Sequence, residues 1–276
     1  MIVFKIMKIT RALVSFLPAS MQRRLRRYHY ARKLHAATLE DESDLRVLPQ
    51  FVKPGMNALD IGANFGLYTR FLSEQVGESG SVYSFEPISE SFAVLENNVE
   101  ALGLTNVSLF RHALSNRSGT AEMRIPKRTD GSLNHYEASL ETEEWEGEYL
   151  VDRVEMGTLD DWAEQQCIGK IDFIKCDVEG HELDVFAGGS HLLARDKPTL
   201  LFKSHEFQVR KGDLFRLLTE LGYDGYFFYV SRADHNSVLK KSHGQLVPCD
   251  QEAAYPYIHP DVRHRYYVFV PAGQQP

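Results

Sequence analysis

Asp60, Gly62, Asn64 and Gly66 stand at alternate positions in NALDIGANFGLYTRFL, where an apolar run meets the start of a helical pattern. Glycine carries no Cβ, so Gly62 lets the chain turn sharply after a strand, and Gly66 lets a ligand or the helix's own packing partner approach the backbone. Twenty residues beyond Gly66, Glu86 closes the next apolar run in SVYSFEP. An acid at that place can accept two hydrogen bonds from a ribose diol, which points to an adenosine cofactor. A dinucleotide calls for glycine where Asn64 stands, so that the backbone clears a pyrophosphate. S-adenosylmethionine has no phosphate. Asp60 suits its amino end, and backbone N–H groups at the turn suit its carboxylate. Taken singly, Asp60 is equally an N-cap and Glu86, before Pro87, equally a strand terminator. The order strand, acid, glycine turn, helix, strand, acid favours the cofactor.

These residues need a sheet to hold them. Short β-rich runs at 57–61, 81–85, 107–111, 171–176, 199–203, 225–230 and 266–271 alternate with helical patterns. Between the second and third, Phe92, Leu95, Val99 and Leu102 recur at helical spacing, and Gly103 sits where a C-terminal cap belongs. Alternating β and α predicts an α/β, doubly wound, mostly parallel sheet with helices on both faces. Residues 115–157 break the rhythm: GTAEMRIP and EYLVDRVEM read as two strands of an antiparallel insertion whose connecting loop hangs over the sheet edge. One catalytic domain is expected over 45–276, preceded by a basic helical extension over 1–44.

Composition narrows the partners. The net charge is −7, yet residues 1–37 carry nine Lys and Arg and no acid, so −7 − 9 leaves −16 on the remainder. An acidic body argues against nucleic acid. Cys167, Cys176 and Cys249 are odd in number and form no CxxC, which fits a reducing cytoplasm and neither a disulfide framework nor a zinc site. In residues 1–17, Lys5, Lys8, Arg11 and Ser15 share one helical face opposite Ile2, Ile6, Ile9, Leu13, Phe16 and Leu17. With the basic cluster that follows, residues 1–37 read either as a peripheral anchor on the inner face of an anionic membrane or as a helix packed on this domain or on a second copy in a homo-oligomer.

Together NALDIGANFGLYTRFL, GSVYSFEPISESFAVLENNV, RHALSNRSGTAEM, GTLDDW and IDFIKCDVEGHELDVFAGG resemble the FkbM family of S-adenosylmethionine-dependent methyltransferases, across roughly residues 45–271. The resemblance implies a class I methyltransferase fold and methylation of a hydroxyl oxygen on a small molecule, sugar or glycan. It assigns Asp60, Gly62, Asn64 and Gly66 to the first cofactor motif, Glu86 to the ribose, and His112 and Ala113 to the adenine. Asp177, Glu179, Gly180 and Glu182 match the family's DVEGHE segment. Where the family commonly ends its fifth strand in an acid, this chain has Lys203, which suits an acceptor bearing a carboxylate or phosphate.

A hydroxyl is a poor nucleophile until its proton is leaving, so a general base is expected. Asp177, at the end of the fourth strand, and His205, just past the fifth, are the candidates. Asp177 also neighbours the cofactor, and Glu179, His181 and Lys203 face the acceptor. Asp177 is equally an N-cap, and His205 equally a satisfied strand-end histidine. Asp177, Glu179, His181 and His205 offer oxygen and nitrogen ligands for a divalent ion, but their spacing is no metal signature, and none is assigned. The rival readings are a degenerate cofactor-binding module without turnover and an NAD-dependent oxidoreductase.

Overall fold

The computed structural model describes residues 18–39, 44–127, 133–134, 138, 148–205, 212–229, 245–248 and 264–274. The amphipathic pattern at 1–17 and most of the loop expected over the sheet edge lie outside them. In chain order the strands are β1 (Asn57–Ile61), β2 (Ser81–Phe85), β3 (Val107–Phe110), β4 (Ala113–Leu114), β5 (Gly119–Pro126), β6 (Tyr149–Gly157), β7 (Phe173–Cys176), β8 (Thr199–His205), β9 (Tyr223–Tyr229), β10 (Gln245–Pro248) and β11 (His264–Pro271). The helices are α1 (Ala19–Ala36), α2 (Leu48–Phe51), α3 (Leu67–Val76), α4 (Ser89–Ala101), α5 (Leu159–Gln165), α6 (Glu182–Ala187), α7 (Ser190–Asp196) and α8 (Asp213–Glu220).

Eight strands form one sheet in the order β10-β9-β11-β8-β7-β1-β2-β3. The run from β3 to β8 is parallel, β11 is antiparallel to both β8 and β9, and β10 is antiparallel to β9. This is the doubly wound sheet expected, with helices on both faces. Strand alternation divides the core: from β1, Leu59 and Ile61 enter the cluster with Trp162, Phe186 and Phe215, while Ala58 joins Phe71, Leu72 and Val76 of α3 on the other face. Asp60 shares the α3 face. Strand order reverses beside β1, so the carboxyl ends of β1, β2 and β7 open a crevice.

The insertion is antiparallel as expected, with β5 paired to β6 from Gly119↔Met156 to Pro126↔Tyr149. It forms a separate three-stranded sheet in which β4 joins β6 in parallel. Strand β10 was not anticipated, because QLVP is short and its proline is compatible only with an edge. At the end of α4, Gly103 takes φ +63° while Leu104 N–H donates to Val99 O (3.1 Å) and Gly103 N–H to Glu100 O (3.0 Å). This is a Schellman cap at the glycine the sequence marked.

Helix α1 lies against the domain. Leu34 is buried with Phe65 and Val94, Tyr30 stacks on Phe65 with ring centroids 4.8 Å apart, and Arg26 pairs with Glu90 at 2.6 Å. The last carbonyls of a helix lack internal donors. Here the Arg70 guanidinium donates to the carbonyls of Leu34 and Ala37, closing that end from α3.

Candidate active site

The turn after β1 is built from backbone constraints. Gly62, Asn64 and Gly66 all have positive φ, at +76°, +50° and +94°. Asparagine tolerates this left-handed region better than most side chains, so the middle position needs no glycine. A Cβ on Gly62 would stand 2.0 Å from the carbonyl oxygen of Asp177, and one on Gly66 would stand 2.7 Å from Leu95 Cδ1. Gly62 therefore lets the turn touch the end of β7, and Gly66 lets α3 begin against α4. The turn's amides are engaged within the protein: Gly62 and Ala63 N–H donate to Phe85 O, Asn64 N–H to Glu86 Oε2 (2.9 Å) and Gly66 N–H to Ala63 O. Asn98 of α4 donates from Nδ2 to Phe65 O (2.7 Å), fixing the far side of the turn.

Over this turn lies a cavity of about 270 Å³ at the carboxyl ends of β1, β2, β7 and β8. Of the residues the sequence singled out, Gly62, Asn64, Glu86, His112, Ala113, Asp177, Glu179, His181 and Lys203 line it. Asp60 and Gly66 do not. The Asp60 carboxylate is fully buried behind the wall, accepting from Thr69 Oγ1 (2.6 Å) and standing 3.1 Å from Lys175 Nζ. His205 ends β8 opposite His264, and its side chain lies outside the described residues. His112 sits against Gly157, where an added Cβ would be 2.7 Å from Nε2, and burial lowers its pKa.

Electrostatics at the crevice follow from strand register. Asp60 of β1 lies directly opposite Lys175 of β7. Lys175 is buried, donates to Gly62 O (2.9 Å) and stacks over the Tyr68 ring at 4.9 Å. Burial opposes its charge, but Asp60 and Asp177 outweigh that and hold its pKa above the ordinary lysine value. One strand on, Lys203 Nζ donates to Glu179 Oε1 (2.8 Å) and lies 3.6 Å from Asp177 Oδ1. It too is held high, against burial, by Asp177 and Glu179. Glu86 is 5% exposed; burial raises its pKa from 4.5 to about 7, although both oxygens accept backbone N–H groups, from Ile88 and Asn64. Glu182 is likewise raised by burial to about 7, and its Oε1 accepts from Val178 and Gly180 N–H, holding the loop that carries Asp177 and Glu179. His181 reaches Ser115 Oγ through Nε2 at 2.8 Å, tying that loop to the end of β4. Burial raises the Cys176 thiol well above its usual range, so it is a packing residue.

Sequence reasoning missed Lys33, Phe65, Tyr68, Lys175 and Tyr266 among the lining. Lys175 had a signal: a lysine interrupting the apolar run IDFIKC needs a buried acid beside it. The buried hydroxyl of Tyr68 has no hydrogen-bond partner among the described residues, and Asp177 Oδ1 has only the ion pair with Lys203. Among the described residues, no group of three or more His, Cys, Asp or Glu is disposed to hold a metal ion.

The chain is similar to known proteins in sequence and in fold. A family model described as the methyltransferase FkbM domain matches residues 60–224. Over 201 residues, 69% of this chain and 80% of the relative, the sequence is 30% identical to the 2-O-methyltransferase NoeI of Sinorhizobium fredii. Among solved structures, the methyltransferase FkbM of Methylobacillus flagellatus aligns with 88% of this chain and 59% of its own, with a TM-score of 0.46 and 15% identity. A SAM-dependent methyltransferase of Aquifex aeolicus aligns with 87% of this chain and 97% of its own, with a TM-score of 0.42 and 18% identity.

Proposed function

The chain belongs to the FkbM methyltransferase family, and from that premise we propose that it moves a methyl group from S-adenosylmethionine to a hydroxyl oxygen of a sugar, glycan or other small molecule. NoeI, a 2-O-methyltransferase, supports oxygen as the acceptor atom. The observation that carries the reading is the buried Glu86 carboxyl beside the Gly62–Phe65 turn, both lining one cavity. Each of its oxygens accepts one backbone N–H and keeps lone pairs for a ribose diol. The unpartnered Tyr68 hydroxyl also fits a polar ligand, since buried polar groups are rarely left unsatisfied. In this reading Gly62 and Asn64 shape the turn, His112 and Ala113 flank the adenine, and Gly66 seats the helix behind it. Asp60 acts from behind the wall, by holding Lys175 against the Gly62 carbonyl.

When bound, the cofactor supplies a methyl group on a sulfonium, open to displacement by oxygen. The chain's part is to hold the acceptor in line and to take its proton. Asp177 is assigned that proton, because it lines the cavity at the end of β7 and its carboxylate has the ion pair with Lys203 but no hydrogen bond at Oδ1. His205, at the end of the neighbouring strand, is the second candidate base. Glu179, His181 and Lys203 border the acceptor.

The test is calorimetry and thermal shift with S-adenosylhomocysteine. Binding to the native state alone raises stability by about 2.7 kcal/mol at a hundredfold excess over Kd. Glu86→Ala should weaken that binding by about 1.5–3 kcal/mol, the worth of hydrogen bonds to a charged group. Stabilisation by NAD and not by S-adenosylhomocysteine would overturn the assignment. Binding without turnover on any hydroxyl acceptor would mark a degenerate module.

We place the enzyme in the cytoplasm, touching an anionic membrane through residues 1–37. Met21, Leu25 and Tyr28 are 53%, 41% and 63% exposed on one stripe of α1, and Arg24, Arg27 and Arg32 are exposed beside them. Such a surface suits a lipid interface. No helix among the described residues is long and apolar enough to cross a membrane.

A further inference from the structure

The cavity is lined by three lysines, and two are already paired. Lys175 faces Asp60, and Lys203 faces Glu179 and Asp177. Lys33 has no carboxylate partner among the described residues; its Nζ lies 5.0 Å from the centre of the Phe65 ring, on the turn after β1. The amides of Gly62, Ala63, Asn64 and Gly66 all donate to protein acceptors. An anionic group seated at this turn therefore finds no donor in those four N–H groups, and Lys33 is the lysine of the described cavity wall that has no carboxylate partner.

We propose that Lys33, carried into the cavity by the N-terminal helix, holds the carboxylate at the amino-acid end of the cofactor. This rests on the S-adenosylmethionine reading given above. Helix α1 is held in place for the task. Leu34 is buried, Tyr30 stacks on Phe65, Arg26 pairs with Glu90, and Arg70 donates to the carbonyls that end the helix. Residues outside the 60–224 family match thus supply part of the cofactor site.

The experiment measures S-adenosylhomocysteine and 5′-methylthioadenosine binding by calorimetry, on the full chain and on Lys33→Met, Lys33→Arg and Arg32→Met. Methylthioadenosine keeps the adenosine and lacks the carboxylate. Lys33→Met should weaken S-adenosylhomocysteine about two- to fivefold, as expected for one solvent-edge ion pair, and leave methylthioadenosine unchanged. Lys33→Arg should retain most of the affinity. Arg32, exposed one residue earlier and absent from the cavity wall, should be without effect when replaced. An unchanged S-adenosylhomocysteine affinity in Lys33→Met overturns the proposal, as does an equal loss for both ligands. If neither ligand binds the unaltered chain, the cofactor reading itself fails and takes this inference with it.

Discussion

Glu86→Gln tests the electrostatics of the crevice without any ligand. Burial moves the Glu86 carboxyl from 4.5 to about 7 in the folded protein. In the unfolded chain it ionises near its ordinary value. Between the two the folded state binds the extra proton, so stability is fully present below about pH 4.5 and is lost as pH rises towards 7 and beyond. An interval of about 2.5, at about 1.36 kcal/mol per pH unit, makes that loss about 3 kcal/mol. Glutamine cannot ionise, so the variant should lack this share of the pH dependence. It also turns an amide N–H₂ towards one of the two backbone donors, Ile88 or Asn64, at a cost of about 1–3 kcal/mol. That cost does not vary with pH and cancels when each protein is compared with itself. Urea denaturation at pH 5 and pH 8.5 is the assay: part of the effect is already lost at pH 5, so the drop in unfolding free energy should be about 2.5 kcal/mol smaller in Glu86→Gln than in the unaltered chain. Glu182, raised to about 7 by the same cause, contributes a similar slope that remains in the variant. Parallel pH curves for the two proteins would refute the burial argument for Glu86.

Two other outcomes follow from the same geometry. Lys203→Glu would bring a third carboxylate to the half-buried Glu179 and Asp177, so denaturation should show a loss of about 1–3 kcal/mol and thermal unfolding should fall; unchanged stability would mean the pairs at 2.8 and 3.6 Å contribute nothing. Serine in place of Met21, Leu25 and Tyr28 should reduce sedimentation with phosphatidylserine vesicles at low salt while leaving S-adenosylhomocysteine affinity intact, and equal sedimentation of both proteins would remove the membrane from the reading.

What could be read in the sequence was local. The turn at Gly62, Asn64 and Gly66 follows from φ angles that few residues adopt, and all three are positive in the structure. Glu86 was legible because a strand end before Pro87 is a fixed place in an alternating pattern. The cavity's other wall was not. Lys33 lies in a run of arginines whose pattern says only that the segment is basic. Its position depends on Tyr30 and Leu34 finding Phe65 and Val94, contacts between segments far apart in the chain. The same holds for Asp60. From sequence it is an acid before a glycine turn, free to meet a ligand; the register of β1 on β7 sets Lys175 opposite it instead. The short edge strand β10 carried too little pattern to distinguish it from a loop.

Register also explains why ionised side chains are tolerated at the edge of this sheet. Asp60 of β1, Lys175 of β7, Asp177 just beyond it, Lys203 of β8 and Glu179 alternate in sign across three adjacent strands. A buried charge without a partner would cost several kcal/mol, and here each has an opposite neighbour. The neighbours are not equivalent. Asp60 accepts a hydrogen bond and faces an ammonium at 3.1 Å, and Glu179 accepts one from Lys203 at 2.8 Å, whereas Asp177 Oδ1 has only the 3.6 Å approach of that lysine. Of the two carboxylates of the row that line the cavity, Glu179 is hydrogen-bonded to Lys203 and Asp177 has only the ion pair. A hydroxyl brought to it would gain an acceptor that no other group in the described wall is using, which is the condition a general base must meet before its basicity matters.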